Sequence, residues 1–189
     1  MVMYNQAIKN VPLFSELTDQ ELSLLAASGS RQKLPDKNVI FQEGDSGEEL
    51  FVILSGKVKV LLTGKNGQEF ILSHLGPGNF FGEMAILESA PRSASVITVE
   101  PSEFFLLGQK ALTELLKNHP DIAMKILKNL SQRLRKVSEQ VRSLVMFDIY
   151  GRVGRCLLNL VEFQDGVETH GQLLISNRPS FQELAKMVG

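Results

Sequence analysis

Two neighbouring segments decide how this sequence folds: FFGEMAIL at residues 80–87 and PRSASV at residues 91–96. Glycines at positions 76, 78 and 82 allow the backbone to turn tightly and to pass close to a ligand. The stretch 83–87 is long enough for one helical turn, and the free N–H groups at the start of such a turn form an anion site. The pattern therefore predicts a tight turn that leads into a place for a negatively charged group.

Three side chains in these segments carry chemistry. Arg92 falls in an otherwise apolar predicted strand, where a buried charge needs a partner. Its planar guanidinium matches a phosphate, and Ser93 adds a hydroxyl and an N–H. Glu83 has the same charge as a phosphate, but it can accept hydrogen bonds from ribose hydroxyls. Two interpretations follow from the residue types: a ribose-phosphate pocket, or an ion pair between Arg92 and Glu83 with glycines that only shape turns.

Short β-rich runs separated by turn signals surround these segments, from about residue 30 to 107. Lys57–Val60 alternates polar and apolar residues as a half-buried strand does, and Asn66-Gly67 is a strong hairpin signal. Many short strands with glycine turns predict a small barrel or sandwich. The predicted strands are 39–42, 50–54, 57–62, 68–75, 94–99 and 103–107.

A helical period precedes and follows the strands. Thr18 and Glu21 form a capping box for an N-terminal helix, which Gly29 ends as its C-cap. The helical period returns at residue 109, and Pro120 suits the first turn of a long helix that runs to about Phe147.

The long helix carries apolar residues at spacings of 3, 4, 3, 4 and 3, which is the seam of a heptad repeat. Such a seam predicts a homodimeric coiled coil; the alternative is an amphipathic helix packed on its own domain. The seam residues are Leu127, Leu130, Leu134, Val137, Val141 and Leu144.

The sequence predicts that Asp148 is an N-cap that ends the long helix and begins another, over residues 149–163. A short strand is predicted at 173–175, and Ser180 with Glu183 forms a second capping box before a helix that reaches Val188. These breaks predict three parts, 1–119, 120–147 and 148–189.

Composition excludes several classes of protein. Hydrophobic residues make up 43% and charged residues 22%, as in average soluble globular chains. The longest apolar run, 50–54, is far below the ~18 residues that span a bilayer, and the N-terminal residues do not have the pattern of a signal peptide, so we expect a cytoplasmic protein without membrane partners. The single cysteine, Cys156, excludes an intramolecular disulfide. We find no nucleophile–base arrangement and no metal-ligand spacing, and predict neither an enzyme nor a metal site.

Charge is distributed unevenly. Residues 1–120 carry 10 basic and 14 acidic side chains, whereas residues 121–189 carry 10 basic and 7 acidic ones. The basic C-terminal part predicts a polyanion partner, with a solvated helix face as the alternative.

Several motifs together resemble a known family. FGEMAIL followed by PRSASV resembles the phosphate-binding cassette of cyclic nucleotide-binding domains, with ten residues from Gly82 to Arg92. IFQEGD at 40–45 and LFVILSGKVKV at 50–60 resemble the β-roll motifs of the same domains. RLRKVSEQV at 133–141 and FDIYGRVGRCLLNL at 147–160 resemble the dimerisation helix and hinge of the Crp/Fnr, or catabolite activator, family of bacterial transcription regulators.

The resemblance implies an α+β fold with three parts: an N-terminal double-stranded β-helix or jelly roll (a β-roll) that binds a cyclic nucleotide, a long dimerisation helix, and a partial winged-helix DNA-binding domain. A recognition helix would follow Gly189, so the resemblance implies a helix-turn-helix that is truncated or incompletely ordered, with DNA binding belonging to the parent protein. The implied partners are a second copy, DNA and RNA polymerase.

The resemblance also implies roles for individual residues. In the cassette, Glu83 holds the ribose 2′-hydroxyl while Arg92 and Ser93 grip the cyclic phosphate. On the long helix, Ser138 reaches the base from the partner subunit, with a solvent-facing serine as the alternative, and Arg133 pairs with Glu83. The further implied contacts are Gly82, Met84 and Ala85 beside the ribose, Ser73 at the base, Met146, Phe147 and Asp148 at the hinge, and Ser180 and Gln182 at DNA phosphates.

One position departs from the family pattern. Members that respond to cAMP have a threonine before the serine on the long helix, and here that residue is Val137, which neither donates nor accepts a hydrogen bond. We expect cAMP as the effector and no separate cofactor; cGMP, another nucleotide or no effector remain alternatives. The alternative functions are a ligand-independent regulator of the same family and a cyclic-nucleotide module of a kinase or channel.

Overall fold

The structure, a computed structural model, describes residues 8–15, 17–146, 148–163, 166–169, 172–175 and 179–188. Between residues 30 and 108, a range that is described throughout, eight strands form two antiparallel sheets. Their bounds are β1 Ser30–Leu34, β2 Val39–Phe41, β3 Glu49–Ser55, β4 Val58–Thr63, β5 Glu69–Leu75, β6 Phe80–Phe81, β7 Ser95–Thr98 and β8 Ser102–Gly108. The strand orders are β1-β8-β3-β6 and β2-β7-β4-β5.

The remaining elements flank the sheets in sequence. A 3₁₀ turn at Pro12–Phe14 precedes the helices α1 Asp19–Ser28, α2 Glu83–Glu88, α3 Gln109–Asn118, α4 Pro120–Met146, α5 Ile149–Phe163 and α6 Phe181–Val188. The antiparallel strands β9 Gly166–Thr169 and β10 Gln172–Ile175 lie between α5 and α6. Both predicted capping boxes are confirmed at the starts of α1 and α6.

The strand β8 shows why the central strands read as continuous apolar runs. Phe104 and Leu106 pack into one core cluster, which includes Phe51 and Val96, whereas Phe105 packs into a second cluster with the helices. Because successive side chains of a strand point to opposite faces, a sheet covered on both faces needs apolar residues at every position. Each fully buried side chain of this kind stabilises the fold by about 1.5–3 kcal/mol.

The strand predictions missed β1, β6 and β9, and one prediction of position was wrong. Arg92 lies in the loop before β7, not in a strand. Gly29 ends α1 as predicted, but in an extended conformation with φ −115° and not as a left-handed cap. Glycine is needed at this position for another reason: a β carbon there would overlap the ring of Phe105.

The chain divides into two compact units. The first comprises Met1–Leu62 and Ser73–Leu130, and the second comprises Thr63–Leu72 and Ser131–Gly189. In the second unit, α5 packs against α6 and against the hairpin of β9 and β10. The predicted division at 119 and 147 stays a prediction. Among the described residues, no helix has the length and apolar character needed to cross a membrane.

Candidate functional site

The turn at Gly82 begins the site. Gly82 has φ +84° and precedes α2 as its N-cap, with no side-chain capping bond. A β carbon at this position would lie 2.5 Å from Nη1 of Arg92 and 2.9 Å from the carbonyl oxygen of Glu49. Glycine is therefore required here both by the left-handed backbone and by the approach of Arg92.

The main chain of Arg92 is fastened to the loop between β2 and β3. Its N–H donates to the carbonyl oxygen of Asp45 at 2.8 Å, and its own carbonyl accepts from the N–H of Gly44 at 2.8 Å. The N–H of Glu43 donates to Oγ of Ser95 at 2.9 Å. These bonds hold the loop that carries Arg92 against the end of β2.

The Arg92 side chain is buried, with 5% of its surface exposed. Nη1 donates to the carbonyl oxygen of Gly82 at 2.9 Å, and Nη2 donates to that of Glu49 at 3.0 Å. Nε has no hydrogen-bond partner. A buried N–H without a partner is costly, so this atom marks a position where a ligand oxygen would be stabilised.

Charges and rings surround the guanidinium. Burial lowers the pKa of Arg92, and the carboxylates of Glu49, Glu83 and Asp45 act in the opposite direction. Because an arginine titrates far above neutrality, the side chain remains a cation. Its Cζ lies 4.2 Å from the centre of the Phe41 ring.

The first turn of α2 supplies the other cassette side chains. Glu83 and Ala85 are buried, whereas Met84 is 44% exposed. Ser93 is exposed, and its hydroxyl donates to Sδ of Met84 at 3.4 Å. The structure therefore brings Gly82, Glu83, Met84, Arg92 and Ser93 together around one turn, and their contacts to a ligand stay predictions.

A cavity of about 630 Å³ lies beside Arg92. Its volume is within the usual range of ligand pockets. Its lining consists of Ile40, Phe41, Asp45, Ser46, Gly47, Glu48, Glu49, Phe51 and Arg92. Within the described range 17–146, Arg92 is the only residue that belongs to both the cavity and the predicted cassette. The cavity thus opens on the side of the β2–β3 loop, and the sequence analysis assigned no binding role to the residues of that loop.

Other predicted contacts lie outside this cluster. Ser73 is half-buried in β5. Arg133, Val137 and Ser138 lie on α4, and the exposed Ser138 donates its hydroxyl to the carbonyl oxygen of Leu134 at 2.9 Å. Arg133 and Ser138 belong to the second unit, whereas Glu83 belongs to the first, so their predicted contacts to the pocket stay predictions.

The predicted seam is largely exposed on the chain. Leu127, Leu134, Val137 and Val141 are between 42% and 68% exposed, and Leu130 is half-buried against the core of the first unit. The start of the same helix buries Ile122 and Ile126. The side chain of Leu144 lies outside the described residues. The pairing of a second helix along this seam stays a prediction.

At the predicted hinge, Met146 ends α4, and Oδ1 of Asp148 accepts from the N–H of Gly151 at 2.9 Å, which confirms Asp148 as a cap. Phe147 lies outside the described residues. The predicted DNA contacts lie at the start of α6: Ser180 precedes the helix, and Gln182 is exposed in its first turn. Ser180 is part of the capping box with Glu183, so its hydroxyl already has a structural role.

Two polar contacts in the second unit were not predicted. Nε2 of Gln140 donates to the carbonyl oxygen of Leu72 at 2.9 Å. Nζ of Lys186 donates to Oε2 of Glu69 at 2.6 Å. Both hydrogen bonds join a helix to the strand β5, and their partners are more than 60 residues apart in sequence. A local sequence pattern cannot predict contacts over such a separation.

A family model and several known proteins match this chain. Residues 31–119 match the family model of the cyclic nucleotide-binding domain. Over 154 residues the chain is 35% identical to the cyclic AMP receptor protein of Thermus thermophilus, which covers 82% of this chain and 71% of that protein. Over 175 residues it is 33% identical to the cAMP-activated global transcriptional regulator CRP of Salmonella typhimurium, covering 91% and 81%.

Among solved structures, one similar chain is the c-di-GMP responsive global regulator CLP of Xanthomonas campestris. It superposes with a TM-score of 0.76 at 26% identity, and the match covers 88% of this chain and 83% of that one. The matches extend past the cyclic nucleotide-binding domain into the C-terminal part of the chain.

Proposed function

This chain belongs to the Crp/Fnr family of CRP-like transcription regulators, and on that premise we propose that a cyclic nucleotide, cAMP first among the candidates, gates its activity by binding at the cassette around Arg92. The relatives are transcription regulators, so we infer no catalytic activity. In this proposal the protein binds DNA, works with RNA polymerase and acts in the cytoplasm.

The environment of the Arg92 side chain supports the proposal most directly. Its guanidinium is buried, its Nε has no partner, and its position is fixed by bonds on both sides. A cyclic phosphate at Nε would satisfy the unpaired N–H with a charge-assisted hydrogen bond, about twice as strong as a neutral one. Ser93 would add a second donor, and the buried Glu83 would accept from the ribose.

Charge in the cavity bears on which nucleotide binds. Three carboxylates, those of Asp45, Glu48 and Glu49, line the cavity beside a single arginine. A second phosphate placed there would be repelled at short range in a medium of low effective dielectric. The lining therefore favours a nucleotide with one phosphate charge, such as cAMP or cGMP, over a cyclic dinucleotide.

Gating requires that the effector bind two states of the dimer with different affinity. We propose that the second copy packs along the exposed seam of α4, with Ser138 reaching the base from the partner. The hinge at 146–148 would then set the spacing of the two DNA-binding parts near one helical turn of DNA, ~34 Å.

A second candidate function is a regulator of the same family that needs no nucleotide. Two observations favour it: the terminal nitrogens of Arg92 already donate to the carbonyls of Gly82 and Glu49, and Val137 stands where a donor to the base is expected. In that case the cassette would stabilise the fold, and Arg92 would hold its segments together through these hydrogen bonds.

A thermal unfolding experiment separates the two functions. Ligand at a hundred times its Kd stabilises a folded protein by ~2.7 kcal/mol. We expect cAMP or cGMP to raise the Tm of the chain by several degrees, while linear 5′-AMP and cyclic di-GMP leave it unchanged. A Tm that responds to no cyclic nucleotide at millimolar concentration would contradict gating and support the second candidate.

A further inference from the structure

Phe41 is the aromatic side chain that lies closest to the Arg92 guanidinium among the described contacts. The Cζ of Arg92 lies 4.2 Å from the centre of the Phe41 ring and 5.8 Å from that of Phe51. We propose that Phe41 is a positioning residue for Arg92: its ring holds the guanidinium in the orientation from which the arginine meets the phosphate of the effector. This inference rests on the proposed function and adds a residue outside the predicted cassette.

The backbone brings the two side chains together. Phe41 is the last residue of β2 and lies opposite Val96 of β7. Arg92 precedes the same strand β7, and its N–H and carbonyl are bonded to Asp45 and Gly44, just beyond β2. The backbone positions of Phe41 and Arg92 are therefore fixed, and the orientation of the guanidinium depends only on the side-chain torsions of Arg92.

The surroundings restrict those torsions from three sides. The carbonyl oxygens of Gly82 and Glu49 accept from the two terminal nitrogens and so hold the edge of the guanidinium. Gly47 and Gly82 lie so close that a β carbon on either would overlap the arginine. The ring of Phe41 lies near the guanidinium carbon, where no hydrogen bond can act. An arginine ordered in this way has already lost the side-chain freedom that it would otherwise lose when it binds.

A ring suits this position better than a carboxylate would. Burial lowers the pKa of Arg92, because removal from water disfavours the charged form. An aromatic face offsets that cost through a cation–π interaction and uses none of the five N–H donors. A carboxylate in the same place would occupy donors and compete with the incoming phosphate. Phe41 therefore stabilises the cation while Nε stays available for a ligand oxygen.

The first test compares three variants in a calorimetric titration with cAMP. Phe41→Leu keeps an apolar side chain but removes the ring, and we expect the Kd to rise about 5-fold to 30-fold, the value of a cation–π contact of 1–2 kcal/mol. Phe41→Tyr keeps the ring and should remain near the wild-type Kd.

The control is Phe104→Leu. Phe104 is fully buried in the same aromatic cluster, where it packs against Phe51 and Phe81. Among the described contacts, the rings near the guanidinium are those of Phe41 and Phe51, not that of Phe104. We expect this control to lower Tm while leaving the Kd for cAMP within about twofold of the wild-type value. A Phe41→Leu variant with a wild-type Kd would overturn the proposal, as would a Phe104→Leu variant that weakens binding equally.

The second test uses the protein without nucleotide, so that its outcome does not depend on the proposed function. Aromatic ring current at this distance shifts the NMR signal of the Arg92 Nε–H. We expect Phe41→Leu to move that signal toward the usual arginine position, and Phe41→Tyr and Phe104→Leu to leave it in place. If wild-type protein binds no cyclic nucleotide, the proposed function fails, and this signal alone decides the role of Phe41. An Nε–H signal that Phe41→Leu does not move would overturn the inference.

Discussion

Gly47 leaves the space that the side chain of Arg92 occupies: a β carbon at residue 47 would overlap both Nε and Cζ of the arginine. The carbonyl oxygen of Glu49, two residues further along the loop, accepts from Nη2 of the same side chain. The loop between β2 and β3 is thus shaped around the guanidinium, although it lies far from the cassette in sequence.

A methyl group at this position should displace the arginine. We expect Gly47→Ala to lower the affinity for cAMP at least tenfold, because the guanidinium must leave its two carbonyl acceptors. Gly76→Ala is the matched control, since a β carbon at residue 76 meets no atom within 4 Å. Calorimetric titration of both variants measures the effect. Equal affinities in the two variants would show that Gly47 does not set the position of Arg92.

Glu83 should distinguish ribose from deoxyribose. Its side chain is buried, and a hydrogen bond to a charged group contributes about 1.5–3 kcal/mol. We expect the wild-type protein to bind cAMP at least tenfold more tightly than 2′-deoxy-cAMP, and Glu83→Ala to bind both with the same low affinity. Glu88→Ala, at the exposed other end of α2, should keep the wild-type preference. A preference for ribose that survives in Glu83→Ala would place the ribose contact elsewhere.

Glu103 should make stability depend on pH. Hydrogen bonding from Arg31 holds the pKa of this carboxyl below its ordinary value of 4.5, with Lys33 acting in the same direction. A lowered folded-state pKa stabilises the fold above pH 4.5, and the stabilisation is lost as the pH falls through the folded value. Glu103→Gln should therefore cost about 1 kcal/mol at pH 7 and almost nothing near pH 2.

Urea unfolding at the two pH values measures this difference. The exposed Glu100 is the matched control, and Glu100→Gln should change stability at neither pH. A cost of Glu103→Gln that is the same at pH 7 and pH 2 would show that the ion pairs with β1 are not its source.

The seam on α4 should hold the dimer together. Leu134 is 68% exposed on the chain, and a carboxylate there would be buried without a partner if a second helix covers it. We expect Leu134→Glu to sediment as a monomer at concentrations where the wild-type protein is a dimer. Arg135→Glu changes the charge of the neighbouring exposed position and should leave the dimer intact. A dimer that persists in Leu134→Glu would mean that another surface joins the subunits.

The sequence predicted those features whose cause is local. The capping boxes at Thr18 and Ser180 need only residues three apart, and both are present in the structure. The strands β3 and β8 are covered on both faces and therefore read as apolar runs. The cassette was found because its glycine, carboxylate and arginine lie within a short stretch of sequence.

Features that depend on distant contacts could not be predicted in this way. The strand β1 is polar and mostly exposed, and it forms because β8 pairs with it along one edge. The position of Arg92 in a loop is set by hydrogen bonds to the distant residues 44 and 45. The proposed roles of Phe41, at the end of β2, and of Gly47 depend on the approach of the same distant arginine, and neither residue type signals it alone.

A calorimetric titration of the wild-type chain and of Arg92→Ala with cAMP tests whether Arg92 binds the phosphate of the effector. Arg31→Ala, a surface arginine of the same unit, serves as the control, and sedimentation checks that all three proteins have the same oligomeric state. We expect saturable binding in the wild-type protein and in Arg31→Ala, and no binding in Arg92→Ala. Binding of cAMP by Arg92→Ala with wild-type affinity would contradict the assignment of Arg92 to the phosphate.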